Sequence, residues 1–222
     1  MSHDVTEELI RRLARDARPV RRVRTLRADL ARVAALAAAL TALFLAGRGL
    51  RPPGVSLLAG STPFLWMALG LAIAGLAGAT AALAFARPGR AGTGLAAIGV
   101  ATAALLGATA VASALLSSTL TGDEPLWTGA REIPCVVGSL FFSLPIAYAI
   151  GRLAAGAAPM RPVLTAWLAA AGASALGGLV GHLACRTPGA WHIVLTHSAV
   201  PLVGSVLLAL PLYVLVTRRR AG

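Results

Sequence analysis

Six long apolar runs constrain the fold of this 222-residue chain more than any other feature. Several of them exceed the ~18 consecutive apolar residues that signal a membrane-spanning helix. A soluble helical bundle would need a polar face on each helix, and most of these runs have none. Charged residues make up only 13% of the chain, whereas soluble domains carry about 25%. The sequence therefore predicts an all-α, polytopic membrane protein with six transmembrane helices and an N-terminal helical arm.

The apolar runs divide the chain into three predicted parts. Residues 1–30 form a polar arm, residues 31–217 a six-helix transmembrane domain, and residues 218–222 a basic tail. We expect the spans at about 31–47, 63–86, 94–118, 134–151, 162–184 and 193–217. Small residues are dense in spans two and five, and small residues let helices approach closely in lipid. We expect this composition to serve packing within one chain rather than a dimer interface.

Arginine supplies every one of the 20 basic residues, and its distribution predicts the orientation. Sixteen arginines lie before or at the start of span one, between spans two and three, between spans four and five, or after span six. Because cytoplasmic loops carry the excess of basic residues, both termini are predicted to be cytoplasmic. The net charge of +12 would suit nucleic-acid binding, but that function needs basic residues clustered on a folded face. Arginines that flank spans instead predict contact with the lipid bilayer and no direct contact with nucleic acid.

The arm combines a narrow apolar stripe with many arginines. Leu9, Ile10 and Leu13 recur at helical spacing, and Pro19 interrupts the helix before a second segment. A helix with such a stripe can dock in an apolar groove of a partner protein. The expected anchors are Leu9, Ile10, Leu13 and Val20. A basic helix beside a span also binds anionic lipid surfaces, and the two interpretations are compatible because lipid would hold the arm until a partner competes for it.

Groups suited to catalysis or ion transport are sparse. No predicted span carries an acidic or basic residue near its middle, whereas ion-coupled transporters place such residues inside the bundle. No Ser-His-Asp or HExxH pattern appears, and an intramembrane hydrolase built on His192 and His197 would lack a nucleophile. The sequence therefore predicts that the protein is not an enzyme. A small membrane transporter or channel remains the alternative function.

The reactive side chains gather around the ends of two spans. Cys185 ends span five, and Cys135 opens span four, so the predicted topology puts both at the same outer face and depth. His182 precedes Cys185 by three residues and shares its helix face. His192 and His197 follow at the entry to span six. Their five-residue spacing would put them on different faces of an α-helix.

Three interpretations of this set stay open. Cys135 and Cys185 are two small buried residues beside interfacial histidines in the simplest one. In the second they form a structural disulfide, which an oxidising periplasm permits. In the third they form a soft-metal or redox-responsive thiol pair, assisted by His182 or His192. The spacing His-x2-Cys-x6-His-x4-His matches no known finger pattern, and the symmetric placement of the two cysteines is what favours the third interpretation over chance.

The order of these elements resembles a known family. The arm contains the run Arg18-Pro19-Val20-Arg21-Arg22, and six spans follow. One cysteine opens span four, and a His-Leu-x-Cys motif closes span five ahead of Trp-His and a further His. This pattern resembles the NrsF-like negative regulators of sigma factors, which are anti-sigma factors of the bacterial inner membrane. The resemblance covers essentially the whole chain.

The resemblance implies an anti-sigma factor that holds an extracytoplasmic-function sigma factor at the membrane. The cytoplasmic arm would bind the sigma factor, with the run from Arg18 to Arg22 in its contact surface. By the same analogy, Cys135 and Cys185 would respond to heavy-metal or oxidative stress in the periplasm and release the sigma factor. No cofactor is implied beyond a transient heavy-metal ion at the cysteine pair.

Overall fold

The computed structural model describes residues 3–16, 23–49, 62–117, 132–157, 159–185 and 192–218. In these ranges the chain forms helices joined by caps and turns, and no strand. The elements are α1 (His3–Asp16), α2 (Leu26–Arg48), α3 (Thr62–Phe85), α4 (Ala91–Ser117), α5 (Glu132–Ala155), α6 (Pro162–Ala184), a π-helical turn (His192–Thr196) and α7 (His197–Arg218). The predicted all-α class is confirmed.

Helices α2 to α7 are each long and apolar enough to cross a membrane. Their candidate spans contain 22 to 25 residues. At 1.5 Å per residue such a helix covers about 33–38 Å, which exceeds the ~30 Å hydrocarbon core of a bilayer. The number of spans agrees with the six predicted from the sequence.

The first span begins earlier than predicted, at Leu26 rather than at residue 31. The side chain of Thr25 caps the helix by accepting a hydrogen bond from the backbone N–H of Ala28 (3.3 Å). Leu26 and Leu30 pack against the core, and Asp29 between them in sequence is buried. Residues 26–30 of the predicted arm therefore pack in the bundle, where the carboxylate of Asp29 is paired with arginine.

Helices α3 and α6 form the centre of the bundle and are the most buried of the six spans. Their glycines allow the two backbones to touch. A Cβ added at Gly78 would lie 2.8 Å from the Cα of Gly172, and one added at Gly172 would lie 2.6 Å from the backbone nitrogen of Ala79. The small residues thus serve packing within the chain, as expected for close helix crossings in lipid.

Because the six spans alternate in direction, the bundle has two ends. At the arginine end, α2, α4 and α6 begin and α3, α5 and α7 end. This end is defined by five arginines, Arg87, Arg90, Arg152, Arg161 and Arg218. The opposite end, where α5 begins at Glu132 and α6 stops at Ala184, carries Cys135 and Cys185 and is called the cysteine end.

A buried ion pair joins two parts of the chain at the arginine end. Arg87, in the turn between α3 and α4, donates a hydrogen bond to the carboxylate of Asp29 in α2, and these side chains are 8% and 4% exposed. Arg87 Nη1 also donates to the backbone carbonyl of Leu83 (2.5 Å). Asp29 accepts a further bond from Arg32 (3.3 Å). The pair was not predicted, because Asp29 and Arg87 are 58 residues apart in sequence.

Candidate functional site

The cysteine end brings the two cysteines into contact. Cys135 lies in the first turn of α5, and Cys185 is the cap residue directly after α6. Because α5 and α6 are antiparallel neighbours, the two Sγ atoms lie 3.3 Å apart although the residues are 50 positions apart in sequence. No disulfide joins these two cysteines in the structure; Cys185 is buried and Cys135 is partly exposed.

His192 completes a compact set of three ligand atoms. Its Nε2 lies 3.1 Å from Cys185 Sγ, and its Nδ1 lies 3.3 Å from the hydroxyl of Thr196. The two sulfur atoms and the imidazole nitrogen all lie within 4.8 Å of one another. A second contact on the far ring nitrogen orients an imidazole, as is usual for metal-ligating histidines. Thr196 was not singled out from the sequence, where a threonine four residues after a histidine has no distinctive pattern.

The prediction that His192 and His197 point to different faces was wrong. The segment His192–Thr196 is a π-helical turn, in which hydrogen bonds join residues five positions apart. Residues at this spacing therefore align, and the two imidazole rings meet edge to face with centroids 5.6 Å apart. His197 is fully buried. A π-helical turn is rare and frequently found at functional sites.

The spacing of His182 suggested Cys185 as its neighbour, but the structure places it against Phe64. Its Nε2 lies 3.0 Å from the backbone carbonyl of Phe64 in α3, and its ring stacks on the Phe64 ring with centroids 4.2 Å apart. Because a carbonyl only accepts hydrogen bonds, the Nε2 atom carries the proton. The His182 and His197 rings meet edge to face with centroids 4.9 Å apart. His182 thus ties α6 to α3 and α7, and it lies outside the three-ligand set of Cys135, Cys185 and His192.

The neighbours of Cys185 lower the pKa of its thiol. The hydrogen bond with Cys135 lowers the pKa of the Cys185 thiol, burial opposes this by raising it, and contacts with His192 and His197 lower it further, so that the net pKa lies below the ordinary value. The thiolate is the form that binds metals and reacts with oxidants. Two thiols and one imidazole are ligands that soft or borderline metal ions prefer. The residues present therefore fit a soft metal ion.

The candidate partner-binding residues are only partly described. Leu9, Ile10 and Leu13 lie on α1 with side chains that are 56%, 60% and 63% exposed. Val5 is equally exposed (58%) and extends the same stripe by one turn, which the sequence prediction left out. On another side of the helix Arg11 and Glu7 form an ion pair at 3.3 Å. The predicted contact residues Arg18, Pro19, Val20, Arg21 and Arg22 lie outside the described residues.

Comparison with known families agrees with the resemblance in the sequence. Residues 13–216 match the model of the NrsF family, described as negative regulator of sigma F. The matched region includes both cysteines, the histidine cluster, the first five candidate spans and the sixth up to residue 216. Comparison with curated sequences and with solved structures found no match. Because the match covers nearly the whole length, the chain belongs to the NrsF family of negative regulators of sigma F.

Proposed function

We propose that this protein is an inner-membrane anti-sigma factor that sequesters an extracytoplasmic-function sigma factor and releases it when its outer cysteines meet heavy metals or oxidants. Its family supports negative regulation of a sigma factor as the general role, and so a regulator rather than an enzyme. In this proposal the arginine end and the arm are cytoplasmic, and the cysteine end is periplasmic. The observation that carries the sensing role is the convergence of Cys135, Cys185 and His192 at the end opposite the arm.

The sensor would work by replacing a weak contact with a strong bond. A soft metal ion would bind the two sulfur atoms and displace their protons, with the imidazole of His192 as third ligand. A two-electron oxidant would instead join the thiols as a disulfide, taking two electrons while two protons leave. A disulfide would shorten the present 3.3 Å contact between the sulfur atoms, whereas a bound metal ion would set their separation through its own coordination. Both would fix the first turn of α5 to the end of α6.

The arm would hold the sigma factor through its apolar stripe. Val5, Leu9, Ile10 and Leu13 form an exposed row on α1, and an amphipathic helix of this kind lays its apolar face into a groove of its partner. A sigma factor held this way at the membrane has no access to core polymerase. Residues 18–22 supply the basic part of the same segment in this proposal.

The arm is tested by co-purification of the full-length protein with the sigma factor encoded in its gene neighbourhood. Leu13→Glu is expected to weaken retention about tenfold or more, because it removes ~1.5–3 kcal/mol of apolar burial. Arg11→Gln changes the net charge by the same amount on another side of α1 and is expected to retain the sigma factor. Equal retention by Leu13→Glu and the unmodified protein would contradict the proposed surface.

The sensor is tested by the response of a sigma-dependent reporter to cadmium, chromate and peroxide. Cys135→Ser and Cys185→Ser are expected to abolish release while the protein stays in the membrane at normal levels. A normal response of both variants to all three treatments rules out the sensing role. Solute flux through the purified protein in liposomes, without any effect on a sigma factor, would favour the transporter or channel alternative.

A further inference from the structure

A groove runs between α5 and α7 at the arginine end, away from the cysteines and the arm. Its volume is about 320 Å³. The lining is almost entirely apolar and ends at one cation, with Leu144, Ala147, Tyr148, Leu208, Pro211, Leu212, Val214, Leu215 and Arg218 as its members. The two helices touch beside the groove at Gly151, where an added Cβ would lie 2.8 Å from the side chain of Leu212. The groove therefore lies beside a close contact between the two helices.

Two arginines stand at the end of this groove. Arg218 is the last residue of α7 and lines the groove directly. Arg152 lies in the last turn of α5, and its guanidinium sits 5.9 Å from the ring centroid of Tyr148, which is itself a lining residue. Both arginines are exposed. Where the structure describes both partners, the ion pairs join Arg11, Arg32 and Arg87 to carboxylates, and neither groove arginine takes part in one.

The position of the groove relative to the bilayer and the charge at its end together indicate what kind of molecule binds there. The groove lies on the outer surface of two spanning helices, so in a bilayer its apolar part faces acyl chains. The arginines lie at the level where headgroups begin, and basic pockets between spanning helices on the cytoplasmic side bind anionic headgroups. A guanidinium matches a phosphate oxygen pair in geometry as well as in charge. A partner helix would need complementary carboxylates at the same depth.

We propose that the α5–α7 groove binds an anionic phospholipid, with one acyl chain along Leu144 and Leu208 and the phosphate between Arg152 and Arg218. This site goes beyond the proposed function and shares with it only the membrane placement. The site lies on α5, whose first turn contains Cys135, and on α7, which follows the π-helical turn with His192. It is at the opposite end of both helices from these residues. The lipid would therefore fill the groove between α5 and α7 beside their contact at Gly151.

Native mass spectrometry of the full-length protein in detergent tests this site with dioleoylphosphatidylglycerol as probe and dioleoylphosphatidylcholine as zwitterionic reference. The unmodified protein is expected to retain phosphatidylglycerol preferentially. The double variant Arg152→Gln/Arg218→Gln is expected to lose about fivefold in apparent affinity for each arginine and to lose the preference. The matched control is Arg90→Gln/Arg161→Gln, which removes two exposed arginines at the same end but outside the groove.

Filling the groove provides a second variant that leaves the charge unchanged. Leu144→Trp places a larger side chain in the path of the acyl chain and is expected to lower phosphatidylglycerol retention with both arginines present. The proposal is overturned if the protein shows no preference for phosphatidylglycerol, if the control pair loses as much affinity as the groove pair, or if Leu144→Trp has no effect. None of these outcomes depends on a sigma factor, so they leave the proposed function to its own tests.

Discussion

The polar contacts at the two ends of the bundle differ in kind: ion pairs at the arginine end, and contacts of thiols and an imidazole at the cysteine end. At the arginine end, the carboxylate of Asp29 is bonded to Arg87 and to Arg32. At the cysteine end, the contacts join sulfur to sulfur (3.3 Å) and sulfur to the imidazole of His192 (3.1 Å). The first set consists of full charges of opposite sign that are already in contact, one carboxylate with two guanidinium groups. The second consists of weak donors and acceptors whose chemistry a metal ion or an oxidant changes.

This difference suggests a division of labour. A buried ion pair is costly to break, because removing one partner leaves an uncompensated charge, so the arginine end is suited to fix the point where the arm enters the bundle. The sulfur contacts are weak as hydrogen bonds, so the cysteine end is suited to change. Helix α3 reaches both ends, since the carbonyl of Phe64 contacts His182 and the carbonyl of Leu83 accepts from Arg87.

The largest effect is expected from Asp29→Asn at the arginine end. The substitution keeps the shape of the side chain but leaves Arg87 buried without its counter-charge, which costs about 3–5 kcal/mol. Thermal unfolding followed by circular dichroism in detergent measures this loss. Glu7→Gln is the control, because it breaks an exposed pair that contributes roughly 0.3–0.5 kcal/mol. Similar losses for the two variants would mean that the arginine end is not a fixed attachment.

The spans were predictable because a spanning helix is encoded locally. Hydrophobicity and length set each one without reference to the rest of the chain, and the six predicted spans match α2 to α7. The start of α2 was predicted too late because residues 1–30 were grouped as one polar arm. The burial of Asp29 is tolerable because it pairs with Arg32 and with Arg87, and Arg87 is 58 residues away in sequence. Interactions at that distance leave no periodic pattern in a single sequence.

The candidate site was predictable in part for the same reason. Topology alone puts Cys135 and Cys185 at one end, and the structure places their sulfur atoms in contact. The alignment of His192 with His197 was missed because it depends on a local change from α- to π-helical hydrogen bonding. The hydrogen bond of His182 was missed because its acceptor is a backbone carbonyl, which has no identity in the sequence.

Stabilisation of the protein by Cd²⁺ tests the proposed metal site at the cysteine end. A ligand that binds only the folded state at a hundred times its Kd stabilises it by about 2.7 kcal/mol. Reduced protein is therefore expected to unfold at a higher temperature with Cd²⁺. Cys185→Ser should lose this gain completely, and His192→Phe should lose most of it if the imidazole is a true third ligand. A full gain in His192→Phe would reduce the site to the two thiols.

The centre of the bundle should respond more weakly than the arginine end. Gly172→Ala puts a methyl group 2.6 Å from the backbone nitrogen of Ala79, and such overpacking costs about 1–3 kcal/mol. Gly107→Ala is the matched control in α4, where nothing lies within 4 Å of the added methyl group. Unfolding temperatures of both variants measure the difference. Equal unfolding temperatures for the two variants would show that the packing of α3 against α6 adjusts at little cost. This packing would then not couple the two ends of the bundle.

The smallest effect is expected at His182, and it separates the role of this residue from that of His192. His182→Phe keeps a ring against Phe64 but removes the hydrogen bond to its carbonyl, which costs about 0.5–1.5 kcal/mol. His182→Gln restores a donor near the position of Nε2 and should recover most of that loss. Because His182 lies outside the three-ligand set, stabilisation by Cd²⁺ should survive in both variants. Loss of the cadmium effect in His182→Gln would instead make His182 part of the sensor, and the cysteine end would then reach α3 directly through a ligand.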